Sequence, residues 1–196
     1  MTAEPTPMPR TGVLGSWDRL VGPGMTTGET LLVLASSVLG SLLAGVLMAS
    51  SGASALSVSI AALIGFDVLG GAVCNGTQTT RAWYHRPGQT WVKHAAFVAL
   101  HLAHVLVVAA LLRGGSFDGP YALTLSIGLV GASAVILCAP DRLRTPVAFS
   151  AYLVVLCSIT MAVGSTPAME WFEPALLLKL LLGHLLPNGI PSKNAV

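Results

Sequence analysis

Residues Lys93–Leu106 read KHAAFVALHLAHVL, an apolar run with His94, His101 and His104 set into it. The run is apolar enough to cross a bilayer, so its imidazoles have to be accommodated at membrane depth. At 100° per residue His94 and His101 are nearly in register and His104 lies about 60° from His101. All share one helical face, and the opposite face is Ala, Val and Leu.

The rest of the chain agrees with a membrane setting. Of 196 residues 54% are hydrophobic and 9% are charged, against about 25% charged in soluble domains. A bilayer core about 30 Å thick requires about 20 apolar residues per helix. Six segments meet that pattern: Thr30–Met48, Ala55–Asn75, Val92–Leu112, Tyr121–Ala139, Val147–Val163 and Phe172–Pro187. The expected fold is an all-α, polytopic bundle of six transmembrane helices, the sixth short, tilted or re-entrant because it carries Lys179 and His184. Residues 1–28 read as a flexible cytoplasmic leader with a possible interfacial piece around Trp17, 29–190 as one transmembrane domain, and 191–196 as a cytoplasmic tail. The polar stretch before the first segment argues against a cleaved signal peptide.

Orientation follows Lys and Arg. With six spans, Arg10, Arg19, Arg81, Arg86, Lys93, Arg142, Arg144 and Lys193 fall on one side and only Arg113 on the other. Both termini are therefore expected in the cytoplasm, with the protein in the plasma (inner) membrane. Glu170 and Glu173 are expected to face outward, Trp83, Tyr84 and Trp91 to form the inner aromatic belt, and Trp171 and Phe172 the outer one.

Depth groups the remaining polar residues. At 1.5 Å per residue Asp67, His101 and Lys179 each lie roughly 12–14 Å from the cytoplasmic boundary, and His104 about 18 Å. Asn75, His94 and His184 lie within roughly 5 Å of it. Lys179 and His184, five residues apart, are expected on different parts of their helix. Asp67, Gly71, Cys74 and Gln78 share an arc whose glycines permit close helix approach. The outer halves of the helices read as nearly featureless.

Ionised groups at membrane depth cost about 2.5–3.5 kcal/mol on insertion scales, so they mark pairs, relays or sites. Asp67 and Lys179 read either as a structural ion pair or as an acid–base pair; His101 reads as an interhelical hydrogen-bond partner or as a general base, relay or ligand. Asn75, His94, His104, His184, His85 and Arg86 are candidate substrate-binding residues, with His85 and Arg86 within reach of headgroup phosphates. Asp67, His101, His104 and His184 supply donors suited to a divalent metal, zinc or iron; His94 and His184 loosely resemble a haem pair. Thr77, Thr79 and Thr80 read as helix caps or, less simply, as nucleophiles. The sequon at Asn75 is expected to stay unused at a cytoplasmic boundary.

An intramembrane Asp with several His is similar in residue types to the seven-helix membrane hydrolases that bind zinc. This chain has six expected spans and no HxxxH pair in the last one, so the similarity stops at residue types. The preferred reading is an intramembrane enzyme acting on a lipid or isoprenoid substrate, with Asp67 and His101 as acid and base and Lys179 as electrostatic stabiliser. A proton-coupled carrier or channel subunit and a non-catalytic partner subunit are the alternatives. The small net charge of +2 and lack of a basic run exclude a nucleic-acid binder. Cys74, Cys138 and Cys157 form no CxxC pair.

Overall fold

The computed structural model describes residues 7–187. Its helices are α1 (Gly12–Val21), α2 (Thr27–Ser50), α3 (Ala55–Gly76), α4 (Gln78–Tyr84), α5 (Trp91–Leu111), α6 (Gly119–Cys138), α7 (Asp141–Ala162) and α8 (Phe172–Leu177), the last running directly into a π-helical stretch, Leu178–His184. Helices α2, α3, α5, α6 and α7 are long and apolar enough to cross a membrane. Residues 191–196, expected as a tail, and Lys193 lie outside the described residues.

Local chemistry sets the helix starts. Thr26 and Glu29 form a reciprocal capping box on α2, which satisfies amide protons that have no partner inside the helix. Ser54 caps α3, Thr77 caps α4 and Asp118 caps α6, where Pro120 occupies the first turn. Helix α7 begins at Asp141, earlier than the apolar pattern starts, and continues through Pro146. Pro146 stands in its second turn, so the carbonyl it leaves unbonded is near the helix start.

Helices α2 and α3 pack most closely, through Ser37, Gly40 and Ala44 against Gly65, Leu69 and Gly70. A Cβ placed on Gly40 would stand 2.7 Å from Gly65 O and from Leu69 Cβ, and one on Gly65 would stand 2.6 Å from Ala44 Cβ. Small residues allow this approach where the solvent outside supplies no hydrophobic drive.

The sixth segment is not a further lipid-facing span. Its six α-helical and seven π-helical residues cover about 20 Å, short of a hydrocarbon core. Leu176, Leu177, Leu180 and Leu181 are fully buried, enclosed by α3, α6 and α7. An apolar segment buried on most of its surface, here with Leu178 left exposed, is a core helix; hydropathy alone does not separate it from a span. The chain before it also enters the bundle, with Thr166, Met169 and Phe172 buried. Phe172 therefore belongs to the core rather than to an outer belt.

Both described ends of the chain meet at one end of the bundle. Tyr84 Oη donates to Leu20 O (2.9 Å), Thr80 Oγ1 to Val21 O (2.6 Å) and Trp83 Nε1 to Arg19 O (3.1 Å), tying α4 to α1. His85 Nε2 donates to His184 O (2.9 Å), bringing in the end of the π-helix. The expected flexible leader is held from Arg10 onward: its backbone N and guanidinium bind the Asp18 carboxylate at 2.6–2.9 Å. That pairing draws the Asp18 carboxyl down to about 2.

Candidate functional site

The π-helical winding decides which side chains meet. Its hydrogen bonds run from residue i to i+5, so residues five apart lie nearly above one another. Lys179 and His184 are thus brought to the same side, whereas an α-helix would have splayed them as the sequence led us to expect. The widened turn presents carbonyls to neighbouring elements. Asn75 Nδ2 donates to Lys179 O (3.1 Å), Arg81 Nη2 to Leu182 O (3.3 Å) and His85 to His184 O. Asn75 and Arg81 secure this backbone, and Arg81 Nε also caps Asn75 O. Asn75 is 4% exposed, and its side chain joins α3 to the π-helical stretch.

Asp67 is the hub of the deeper cluster. Its Oδ2 lies 2.6 Å from Lys179 Nζ, 3.2 Å from His104 Nε2 and 3.9 Å from His101 Nε2. Lys179 also donates to the Asp67 carbonyl at 3.1 Å. Gly71 makes the contact possible: a Cβ there would stand 2.5 Å from Lys179 Cε. No described residue hydrogen-bonds Asp67 Oδ1.

The two histidines have different proton arrangements. His101 Nδ1 lies 2.7 Å from the Phe97 carbonyl; an oxygen there only accepts, so Nδ1 carries the proton and a neutral ring keeps its lone pair on Nε2. His104 faces the carboxylate with Nε2, which therefore donates, and its Nδ1 has no partner. His104 thus touches the Asp67 carboxylate directly.

This cluster forms the floor of a groove of about 290 Å³ between α2 and α3 on one side and α5 on the other, with Trp17, Leu20 and Tyr84 at one end. Leu34, Phe66 and Leu100 on its lining are exposed on the outside of the bundle. Lys179 is 3% exposed and Asp67 47%. The carboxylate thus faces an apolar, laterally open groove while its countercharge is sealed behind it. A larger cleft of about 630 Å³ between α5 and α6 is almost wholly apolar and touches none of these groups.

Nearer the α1–α4 end, His94 Nδ1 and His184 Nε2 share a hydrogen bond of 3.1 Å, and His85 stacks on His94 at 4.8 Å. Phe97 stacks on His184 at 3.8 Å and Tyr84 meets it edge-on. His184 Nδ1 is buried without a partner. Sequence reasoning grouped Asn75, His94 and His184 by depth; the histidines do meet, with His85 as a third ring. Burial pushes the His85 imidazole below its ordinary value, against the pull of its bond to the His184 carbonyl; the charges of Arg144 and Arg81 push it further down. Arg86 lies over the Trp83 ring, 3.3 Å from its centroid.

Among the described residues no group of three His, Cys, Asp or Glu side chains is arranged to hold a metal ion. Asp67 Oδ2, the oxygen that faces His101 and His104, is already engaged by the Lys179 ammonium at 2.6 Å. His184 belongs to the other cluster. Thr77 caps α4, Thr79 Oγ1 donates to Glu29 (2.9 Å) and Thr80 Oγ1 to Val21 O, so these hydroxyls are engaged structurally.

The opposite half of the bundle is not featureless. Glu173 is 2% exposed and points inward, accepting from Tyr121 Oη (2.8 Å) and Thr166 Oγ1 (3.0 Å). Its Oε2 has no partner. Arg113 pairs with Asp118 at 2.7 Å, lies over the Tyr121 ring and donates to Val163 O (2.8 Å), Gly164 O and Thr166 Oγ1. The apolar pattern starts its sixth helix at a water boundary and so leaves Glu173 exposed there, whereas the chain before it dips into the bundle and buries it. The neighbouring Tyr121 and Thr166 gave no periodic signal.

Among the described residues the fold and site define an all-helical protein with five helices suited to a membrane and a buried, mainly apolar core segment that carries Lys179 and His184. No family model, curated protein or solved structure matches the chain, so the functional reading rests on the chain's own residues.

Proposed function

We propose that the chain is a multi-pass protein of the plasma membrane that converts a lipid-soluble substrate by acid–base chemistry in the Asp67 groove. The observation that carries this reading is the half-exposed Asp67 carboxylate on the floor of an apolar groove open at the side of the bundle, with Lys179 sealed behind it. A side opening suits a substrate arriving from the hydrocarbon rather than from water. His101 Nε2, its lone pair fixed by the Phe97 carbonyl, is the base. His104 Nε2–H holds the Asp67 carboxylate in place, His101 returns as an acid the proton it takes as a base, and Lys179 stabilises negative charge that develops nearby. Positive charge supports a cytoplasmic α1–α4 end: among the described residues Arg10, Arg19, Arg81, Arg86, Lys93, Arg142 and Arg144 gather there and only Arg113 stands at the other.

The test is to incubate proteoliposomes containing the purified protein with a total membrane lipid extract, and to compare products by mass spectrometry with Asp67→Asn and His101→Ala proteins. A lipid converted by the wild type and by neither variant supports the reading. Conversion undiminished in both variants, or no conversion by a folded wild type in any extract, removes it.

A second reading, a proton-coupled carrier or channel subunit, is favoured by the buried Glu173 cluster, which supplies ionisable groups in the outer half. Proton uptake into vesicles that depends on both Asp67 and Glu173 supports it.

A further inference from the structure

Beside the groove lies a cleft of about 550 Å³ lined by Arg19, Arg86 and Lys93 together with Trp83, Gln89 and His94. No Asp or Glu lines it. The carboxylates nearest in sequence are already engaged, Asp18 by Arg10 and Glu29 by Thr26 and Thr79. Among the described residues none of the three cations has a carboxylate within ion-pair distance. Arg86 is nevertheless fixed, stacked on Trp83 and bonded to the Trp83 carbonyl, and Lys93 Nζ is tethered to Gly88 O at 3.2 Å. Its Nη1 and Nη2 also face the Gln89 side-chain oxygen at 2.5 and 2.7 Å in that amide's favoured orientation, so a phosphate would take the place of Gln89 on a planar donor fork that matches phosphate oxygens. Tyr84, Phe97 and Leu100 line both this cleft and the Asp67 groove, so the polar cleft and the apolar groove are continuous.

We infer that this cleft binds the phosphate headgroup of an anionic lipid whose chain runs on into the Asp67 groove. The inference rests on the acid–base reading for its consequence: the phosphate is not the reacting group. His94, level with the cleft, and His101, level with Asp67, are seven residues apart on α5, about 10 Å along the helix axis. A headgroup held by Arg86 and Lys93 therefore leaves the glycerol linkage or the chain in front of His101, and the cations serve to position it. The chemistry at the groove acts on that part of the lipid.

The test is native mass spectrometry of the full chain in detergent with equal amounts of phosphatidic acid and phosphatidylcholine of the same acyl chains. The expected result is one phosphatidic acid per chain, preferred by ~10-fold over phosphatidylcholine. That preference should fall to within about twofold in R19Q/R86Q/K93Q. The single variant Lys93→Glu should weaken it in the same direction, which guards against misfolding of the triple variant. Arg142→Gln, which removes a charge from the same end outside the cleft, should leave it intact. No preference in the wild type, persistence in the triple variant, or equal loss in Arg142→Gln overturns the site. Competition by inorganic phosphate as effective as by phosphatidic acid overturns the lipid in favour of a free anion. Asp67→Asn is expected to retain the lipid while losing turnover. Lipid retention without turnover in the wild type would sink the acid–base reading alone, and turnover without retention would sink this one alone.

Discussion

Lys179 Nζ lies 2.6 Å from Asp67 Oδ2, yet the lysine is 3% exposed and the aspartate 47%. The two halves of the pair therefore have unequal alternatives. Asp67 without Lys179 keeps His104 and an open groove; Lys179 without Asp67 is a buried cation whose remaining contact is a carbonyl. Asp67→Asn is expected to destabilise by about 3 kcal/mol, in the range for orphaning a buried charge. Lys179→Met is expected to cost about 1 kcal/mol. D67L/K179M, which removes both charges, should be more stable than Asp67→Asn. Reversible unfolding in mixed micelles measures all of these, and equal losses in the two single variants would contradict the asymmetry.

His101 and His104 are separated by their proton arrangements rather than by distance. His101 offers a lone pair at Nε2, which no amide side chain reproduces; His104 offers an N–H, which glutamine does. His101→Gln is therefore expected to lower turnover of the converted lipid by about 10²–10⁴-fold, the usual contribution of a general base. His104→Gln should retain a substantial part of it. A His104→Gln loss as large as that of His101→Gln would reverse the assignment of roles.

Gly65 faces Ala44 Cβ at a distance that leaves no room for a methyl group, 2.6 Å from an added Cβ. Gly65→Ala must push α2 away from α3, at an expected cost of about 1–3 kcal/mol. The shift also opens the groove, since Leu34 and Ser37 of α2 line it, so substrate affinity should fall with stability. Gly131 in α6 has nothing within 4 Å of an added Cβ. Gly131→Ala is expected to be neutral or stabilising by up to about 1 kcal/mol through helix propensity. Thermal unfolding of the two variants side by side distinguishes packing from propensity.

The five long helices were legible because twenty-residue apolar runs admit few other structures, and their ends were set by local caps such as Thr26 and Asp118. The shared face of His94 and His101 followed from helical geometry. The sixth segment was misjudged because hydropathy reports apolarity and not whether lipid or protein surrounds it. The π-helix was illegible for a related reason: its wider turn is sustained by tertiary bonds from Asn75, Arg81 and His85, residues about a hundred positions away in sequence. That turn is what aligns Lys179 with His184. Glu173 was hidden by the same error, since its depth depends on a loop that enters the bundle. Arg19 and Lys93 read as ordinary positive charges on the inner side; only the docking of α1 on α4 brings Arg19 of α1 and Lys93 of α5 to one cleft.

His85 supplies a pH-dependent link at the α1–α4 end. Its folded-state value lies below the ordinary histidine value, mainly through burial, with Arg144 and Arg81 adding to the effect and the His184 carbonyl opposing it. Free histidine titrates near 6.5, so below that pH the unfolded chain binds a proton that the folded site resists. The contribution of His85 is accordingly full above about pH 6.5 and is lost as pH falls through the lower folded value. Protonation would also place a charge against the stacked His94 ring and beside the neighbouring arginines, loosening the end of the π-helix that holds His184. The expected outcome is a His85 ring titration, followed by NMR of histidine-labelled protein in detergent, with its midpoint below 6.5. His85→Gln should also reduce the drop in melting temperature between pH 7.5 and 5.5. A midpoint at or above 6.5 would mean that the ring is solvated rather than packed between His94 and the π-helix, and the link would be absent.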